Sequence, residues 1–179
     1  MQINQNLFTK RMTIRNCRKT DLPYLTAMWF DEENGRYLSD PAKDYVDEKF
    51  QKALDGIETN PHGYYLTLTL RNTDKIIGSC FLFPDEDKNG SFELAYGISK
   101  DYWRQGYATE LLASVMDWVR SHGGTELTAE AAKENIASHR LLLKLGFEVV
   151  GQSNFKKYNM DITFDSYIYR LILTNPEKL

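Results

Sequence analysis

Apolar and polar positions change period several times along the chain, and each change predicts an element. Met12 and Ile14 alternate with Thr13 and Arg15, the mark of a strand over 12–16. Asp21 is placed to cap the helix that follows, with Pro23 early, where its missing N–H costs nothing. Leu22, Leu25, Met28 and Trp29 then share a face. A second helix is predicted from Pro41 to about Ile57, with Tyr45, Phe50, Ala53 and Leu54 as its apolar positions, before the breaker Asn60-Pro61-His62-Gly63. The period then falls to two. Tyr64–Leu70 alternates, Lys75–Phe83 is a more continuous apolar run, and Ser91–Ile98 is a third strand. Their turns are Arg71–Asp74 and Asp85–Gly90, the second ending in Asn-Gly, so an antiparallel meander is expected.

Beyond the meander, Leu111, Leu112, Val115, Met116 and Val119 form one stripe of a helix from Ala108 to about His122, stopped by Gly123-Gly124. Glu126–Ala132 alternates again. A short helix from Asn135 to Lys144 ends at Gly146, and Phe147–Gln152 and Ser166–Leu173 close the chain as strands. The order β α α β β β α β α β β predicts a mixed α/β fold, with helices on both faces of a twisted, mostly antiparallel sheet.

Composition narrows the field. The 179 residues suit a single domain, read as 1–179 with a core at about 12–173, and no linker-like or repeated tract divides them. Lys plus Arg number 22 against 25 Asp plus Glu, a net charge of −3 without a basic run, which argues against direct nucleic-acid binding. Cys17 and Cys80 stand alone, so neither a zinc site nor a disulfide framework is expected. No apolar run approaches the roughly 20 residues of a membrane span, and the N-terminus lacks a signal-peptide core, so a soluble, cytoplasmic protein is expected. Aromatic residues make up 13%, enough to supply both strands and cleft walls.

The richest segment is Tyr96-Gly97-Ile98-Ser99-Lys100-Asp101-Tyr102-Trp103-Arg104-Gln105-Gly106-Tyr107-Ala108-Thr109-Glu110. A strand runs into a loop, and the small residues Gly106 and Ala108 stand where an amphipathic helix begins. First-turn N–H groups have no partner inside their helix, and the helix dipole adds partial positive charge, so such an end suits a phosphate or pyrophosphate. No Gly-Lys-Ser/Thr follows and a third glycine is absent, which excludes a P-loop and a dinucleotide fingerprint.

Four motifs in order, Glu93-Leu94-Ala95-Tyr96, Tyr102 to Glu110, Asn135-Ile136-Ala137-Ser138 and Leu145-Gly146-Phe147, give the chain a resemblance from Thr13 to about Leu173. It resembles the GNAT superfamily of N-acetyltransferases, in particular the ribosomal-protein N-terminal acetyltransferase-like branch with its polyamine and aminoglycoside acetyltransferase relatives. Trp103 stands where the general pattern has Gln or Arg, and Ala95 and Arg104 replace glycines usual in the branch. A tyrosine common four residues before the last motif's glycine is here Leu142.

The resemblance implies an acyltransferase using acetyl-CoA as co-substrate, without a metal, and a primary amine as acceptor. Backbone N–H groups of Arg104, Gln105, Gly106, Tyr107, Ala108 and Thr109 would cradle the pyrophosphate. Tyr96, Gly97 and Ile98 would pair with the pantetheine arm as an added strand, and an N–H near Ile98 would polarise the thioester carbonyl. Glu93, an acid inside a strand, is the candidate base. Asn135 would hold the pantetheine arm or cap its helix, and Ser138 is the candidate acid in place of the missing tyrosine. Arg140, with Lys144, is the candidate for the 3′-phosphate. His62, His122 and His139 are poor catalytic candidates by position.

On the acceptor side, residues 31–58 carry nine acids against four bases, a local −5 that would attract a cationic amine. A protein N-terminus leads, with a polyamine or aminoglycoside as alternative acceptor. A non-catalytic acyl-CoA-binding sensor is the alternative of another class, and a monomer or homodimer is expected.

Overall fold

The computed structural model describes residues 1–173. One eight-stranded sheet runs β1-β2-β3-β4-β5-β6-β8-β7. Its strands are β1 (Leu7–Phe8), β2 (Met12–Asn16), β3 (Tyr64–Leu70), β4 (Ile76–Pro84), β5 (Ser91–Ile98), β6 (Glu126–Ala132), β7 (Glu148–Lys156) and β8 (Thr163–Ile172). The helices are α1 (Leu22–Trp29), α2 (Glu48–Asp55), α3 (Tyr107–Ser121) and α4 (Ile136–Lys144). Every neighbouring pair is antiparallel except β5 and β6. The expected mixed α/β architecture and meander are therefore observed.

Strand alternation divides the core in two. Leu66, Leu68, Cys80, Leu82, Leu94 and Ile98 turn to one face, under Leu111, Leu112, Val115 and Val119 of α3 and Leu142 of α4. Tyr65 and Phe81 turn to the other, under Leu25, Met28 and Trp29 of α1 and Leu54 of α2. Each fully buried Leu or Ile contributes about 1.5–3 kcal/mol. Cys80 is wholly buried, and burial pushes its thiol up to about 12, so it behaves as a core side chain.

Four boundaries differ from the expectation. The second helix spans only Glu48–Asp55: Asp47 caps it by accepting from the Phe50 N–H at 2.8 Å, and Val46 is extended before it. Tyr45 and Ala53 are exposed rather than packed. β7 and β8 are longer than expected, reaching Lys156 and starting at Thr163, because they pair with each other along a hairpin whose residues are largely solvent-facing and so carry little apolar period. β1 carries no pattern of its own and exists by pairing with β2.

Asp21 does not cap α1 with its side chain. Its buried carboxylate accepts from Arg15 at 2.6 and 2.9 Å, from the Arg18 N–H at 2.9 Å and from Thr67 Oγ1 at 2.9 Å. Burial alone would raise this carboxyl, but these hydrogen bonds outweigh it and hold it below its ordinary value. The tertiary partners take the acceptor that the local cap would have used.

Among the described residues no helix is long and apolar enough to cross a membrane.

Candidate functional site

β5 and β6 pair only from Ser91–Glu126 to Glu93–Thr128. Beyond that point both strands continue, β5 to Ile98 and β6 to Ala132, without pairing, so the sheet splits at its centre. The Ser99 N–H donates to the Ile77 carbonyl on β4 at 2.8 Å. Antiparallel alternation then directs the backbone N–H groups of Tyr96 and Ile98 away from β4 and into the gap. The Ile98 carbonyl is already taken by the Trp103 indole N–H at 2.6 Å.

Glycine conformation builds the loop after β5. Gly106 has φ +81° and stands at the N-cap of α3, and Arg104 has φ +59°. A Cβ on Gly106 would meet Arg11 Nη2 at 3.6 Å, an ordinary contact, so backbone angle rather than space requires glycine there. None of the N–H groups from Arg104 to Thr109 has a protein acceptor among the described residues; the first to be paired is Glu110, to the Gly106 carbonyl at 3.1 Å. A run of unpaired donors at the start of a 15-residue helix is a site for an anionic group, as a pyrophosphate requires.

Arg11, just ahead of β2, pins this loop. Its guanidinium donates to the Gln105 carbonyl at 2.9 Å and to Glu110 at 2.7 Å, while its N–H reaches Glu110 at 2.8 Å and its charge lies 4.0 Å over the Tyr107 ring. Burial tends to raise the Glu110 carboxyl, but hydrogen bonds from Thr9 and Arg11 hold it below its ordinary value.

The gap opens into a cleft of about 390 Å³. Glu93, Tyr96, Gly97, Asn135 and Ser138 all line it, so five of the sequence-predicted residues converge. Glu93, Ala95 and Gly97 face the α1/α2 side, paired across β4 with Phe83, Phe81 and Ser79, whereas Tyr96 faces α4. Burial, then the nearby charge of Glu130, raises the Glu93 carboxyl above its ordinary value. Glu130 is held from β8 by the Ser166 hydroxyl.

Tyr96 Oη and Ser138 Oγ are 2.9 Å apart, and burial pushes the Tyr96 phenol up to about 12. Asn135 Oδ1 accepts from the Ser138 N–H at 3.2 Å, so Asn135 is the N-cap of α4. The Leu145-Gly146-Phe147 motif closes that helix: the Gly146 N–H donates to the Leu143 carbonyl at 3.0 Å and the Phe147 N–H to that of Leu142 at 3.1 Å. Leu142 is buried against the cleft, so a side chain there would reach it.

Arg140 and Lys144 are exposed on α4 and do not line the cleft. None of the three histidines lines it either: His62 is exposed near Glu86, His122 stacks on Trp118, and His139 bonds Tyr169.

The acidic segment 31–58 does not form a wall as expected. Asp31 and Glu33 bind Lys100, Asp47 binds Tyr158 and Asn159, and Glu58 accepts from the Lys19 N–H. Only Asp40 of the nine lines the cleft; its other acids are Glu93 and Glu130, from the sheet. Glu130 carried the same signal as Glu93, an acid inside a strand, here between Ala129 and Ala131. Arg11 carried none, because its partners are 94 and 99 residues away.

The turn between β7 and β8 is tied to the segment between α1 and α2. Lys157 Nζ donates to the carbonyls of Gly35 at 2.7 Å, Leu38 at 2.8 Å and Asp40 at 3.2 Å, and the Tyr158 N–H donates to the Ser39 carbonyl at 2.9 Å.

A family model described as an acetyltransferase (GNAT) domain matches residues 11–148. An uncharacterized N-acetyltransferase, p20, of Bacillus licheniformis is 24% identical over 176 residues, covering 94% of this chain and 96% of its own. Among solved structures, the acetyl transferase that modifies the N-terminal serine of a 50S ribosomal subunit protein of Salmonella typhimurium superposes with TM-score 0.77 at 15% identity, covering 95% of this chain and all of its own. Spermidine N-acetyltransferase of Vibrio cholerae, in complex with CoA and spermine, superposes with TM-score 0.74 at 15% identity, covering 92% and 96%. The family model covers most of the chain, including the split sheet and the helix that follows it, and the chain belongs to the GNAT family of N-acetyltransferases.

Proposed function

We propose that this chain transfers an acetyl group from acetyl-CoA to a primary amine in the cleft between β5 and β6, most plainly a protein N-terminal amine. The observation that carries this reading is the split sheet, with unpaired donors on its α3 side and the raised carboxyl of Glu93 on its α1/α2 side. Acetyl-CoA would supply an activated thioester acyl group. The Arg104–Thr109 N–H groups would hold its pyrophosphate, and the gap-facing edge at Tyr96 and Ile98 its pantetheine arm.

Glu93 then serves as base. An ammonium must lose a proton before it is nucleophilic, and a carboxylate with a raised pKa accepts that proton more readily than an ordinary one. The Ile98 N–H would donate to the oxyanion that develops on the carbonyl oxygen. Ser138 would give a proton to the departing sulfur and regain it through the Tyr96 hydroxyl at 2.9 Å, which takes a proton from solvent in the same relay, so both side chains end the turnover neutral. Tyr96 thereby takes up, from the opposite strand, the role for which Leu142 has no group. Nothing in this scheme requires a location other than the cytoplasm, where acetyl-CoA is made and used.

The test is release of free CoA thiol from acetyl-CoA with peptide N-termini, polyamines and aminoglycosides as acceptors. Turnover with a peptide N-terminus is expected. Absence of turnover with every acceptor, while acetyl-CoA still raises the melting temperature, would leave an acyl-CoA sensor instead.

A further inference from the structure

The unpaired N–H groups from Arg104 to Thr109 serve an anion only if they point toward it and no protein charge competes with it. Neither condition is met by this segment on its own. The Gln105–Gly106 peptide is flanked by two residues of positive φ, Arg104 at +59° and Gly106 at +81°, and a peptide beside a glycine turns over at little steric cost. Glu110 stands in the first turn of α3, an acid in the same positive field that a bound pyrophosphate would need. Although burial pushes its carboxyl up, hydrogen bonds from Thr9 and Arg11 hold it below its ordinary value, so it is an anion at neutral pH.

One side chain, from the turn before β2, meets both conditions. Arg11 Nη1 donates to the Gln105 carbonyl at 2.9 Å. A trans peptide is planar, with its N–H directed opposite to its C=O, so this bond fixes the Gly106 N–H on the side away from Arg11. Arg11 Nε donates to Glu110 Oε2 at 2.7 Å and the Arg11 backbone N–H to Oε1 at 2.8 Å. Both carboxylate oxygens are therefore turned to Arg11, and neither takes an N–H of the loop. The guanidinium also lies 4.0 Å over the Tyr107 ring. Arg11 is itself anchored, its carbonyl accepting from the Arg71 N–H at 3.0 Å.

We infer that Arg11 is a positioning residue for the donor's pyrophosphate: it locks the Gln105–Gly106 peptide with the N–H free for the anion, and it neutralises the carboxylate in the first turn of α3. This rests on the acetyl-CoA reading of the cleft. The effect of Arg11 is then confined to donors that carry the pyrophosphate.

The experiment compares acetyl-CoA with S-acetylpantetheine, which has the same thioester and pantetheine arm but ends in a hydroxyl, in the full chain. Affinity is read by direct calorimetry for the first and by its displacement for the second. Arg11→Met should weaken acetyl-CoA binding about tenfold and leave S-acetylpantetheine unchanged. Arg11→Lys keeps a charge beside Glu110 and should recover part of that loss. The double variant Arg11→Met/Glu110→Gln should bind acetyl-CoA more tightly than Arg11→Met, because the released anion is gone. A merely structural contact predicts no such recovery. Lys10→Met, which removes an exposed charge next in the chain, should change neither affinity. Should Arg11→Met fail to fold, Arg11→Gln is read in its place.

Equal weakening of both thioesters, no weakening of acetyl-CoA, no recovery in the double variant, or the same loss in Lys10→Met overturns the assignment, while acetyl-CoA binding by wild type still stands. A wild type that binds acetyl-CoA no more tightly than S-acetylpantetheine has no pyrophosphate site at this loop. That result removes the donor reading and the role of Arg11 together.

Discussion

The two halves of the cleft are built in opposite ways. The proposed donor half is nearly one stretch of chain: β5, a loop and the start of α3 lie within residues 91–110, and the turn geometry follows from Gly106 and the helix that begins after it. The proposed acceptor half is assembled from the segment between α1 and α2 and the acids of β5 and β6, with the turn of a hairpin about 120 residues later in the chain tied to that segment by Lys157. A local structure holds a ligand group common to many chains through its backbone. A long-range one can vary its side chains, and we propose that acceptor choice resides there.

The comparison breaks most sharply at Glu93, which we propose serves the chemistry and not donor binding. Glu93→Gln is expected to lower kcat by a factor on the order of 10²–10⁴, while the acetyl-CoA dissociation constant measured by calorimetry stays close to wild type. A comparable loss of acetyl-CoA affinity would place Glu93 in the donor half instead.

Gly106→Val attacks the donor half alone. A β-branched residue at φ +81° costs on the order of 1–3 kcal/mol, so acetyl-CoA affinity should fall roughly 10- to 100-fold. The thermal shift given by the acceptor should persist. Its disappearance would mean that the halves are not separable.

Lys157→Met attacks the acceptor half alone. Three carbonyls lose a charged donor, and the acceptor KM should rise by up to about tenfold with acetyl-CoA affinity retained. An unchanged acceptor KM would show that this tie plays no part in acceptor binding.

The smallest effect is on pH. The Glu93 carboxyl is raised first by burial and then by Glu130, and as the proposed base it would act only when deprotonated. Activity should therefore rise with pH through a midpoint above the ordinary glutamate value, and Glu130→Gln should move that midpoint to lower pH. A midpoint that stays in place would assign the raised value to burial alone.

Much of the fold was legible in sequence because its signals are local. The meander showed as a period of two between turn residues, and α3 as a stripe from Leu111 to Val119. The ends of β7 and β8 were not legible, since the hairpin's outer residues meet solvent and carry little period. Asp21 misled for another reason: a residue fit for a local cap was taken by Arg15 and Thr67, a stronger offer than a single helix N–H. In the site, Glu93, Gly106, Asn135 and Ser138 were readable as motif residues, whereas Asp40 lay hidden among eight other acids of its segment.

From sequence alone came the element order, the family resemblance and the glycine turn before α3, because each depends on residues near one another in the chain. Only the tertiary structure decided where the sheet splits, that Tyr96 meets Ser138 across it, and that Asp40 alone of its segment reaches the cleft. Those depend on strand register, on which face a side chain takes, and on the desolvation and partners it finds there. None of these is encoded at a fixed spacing.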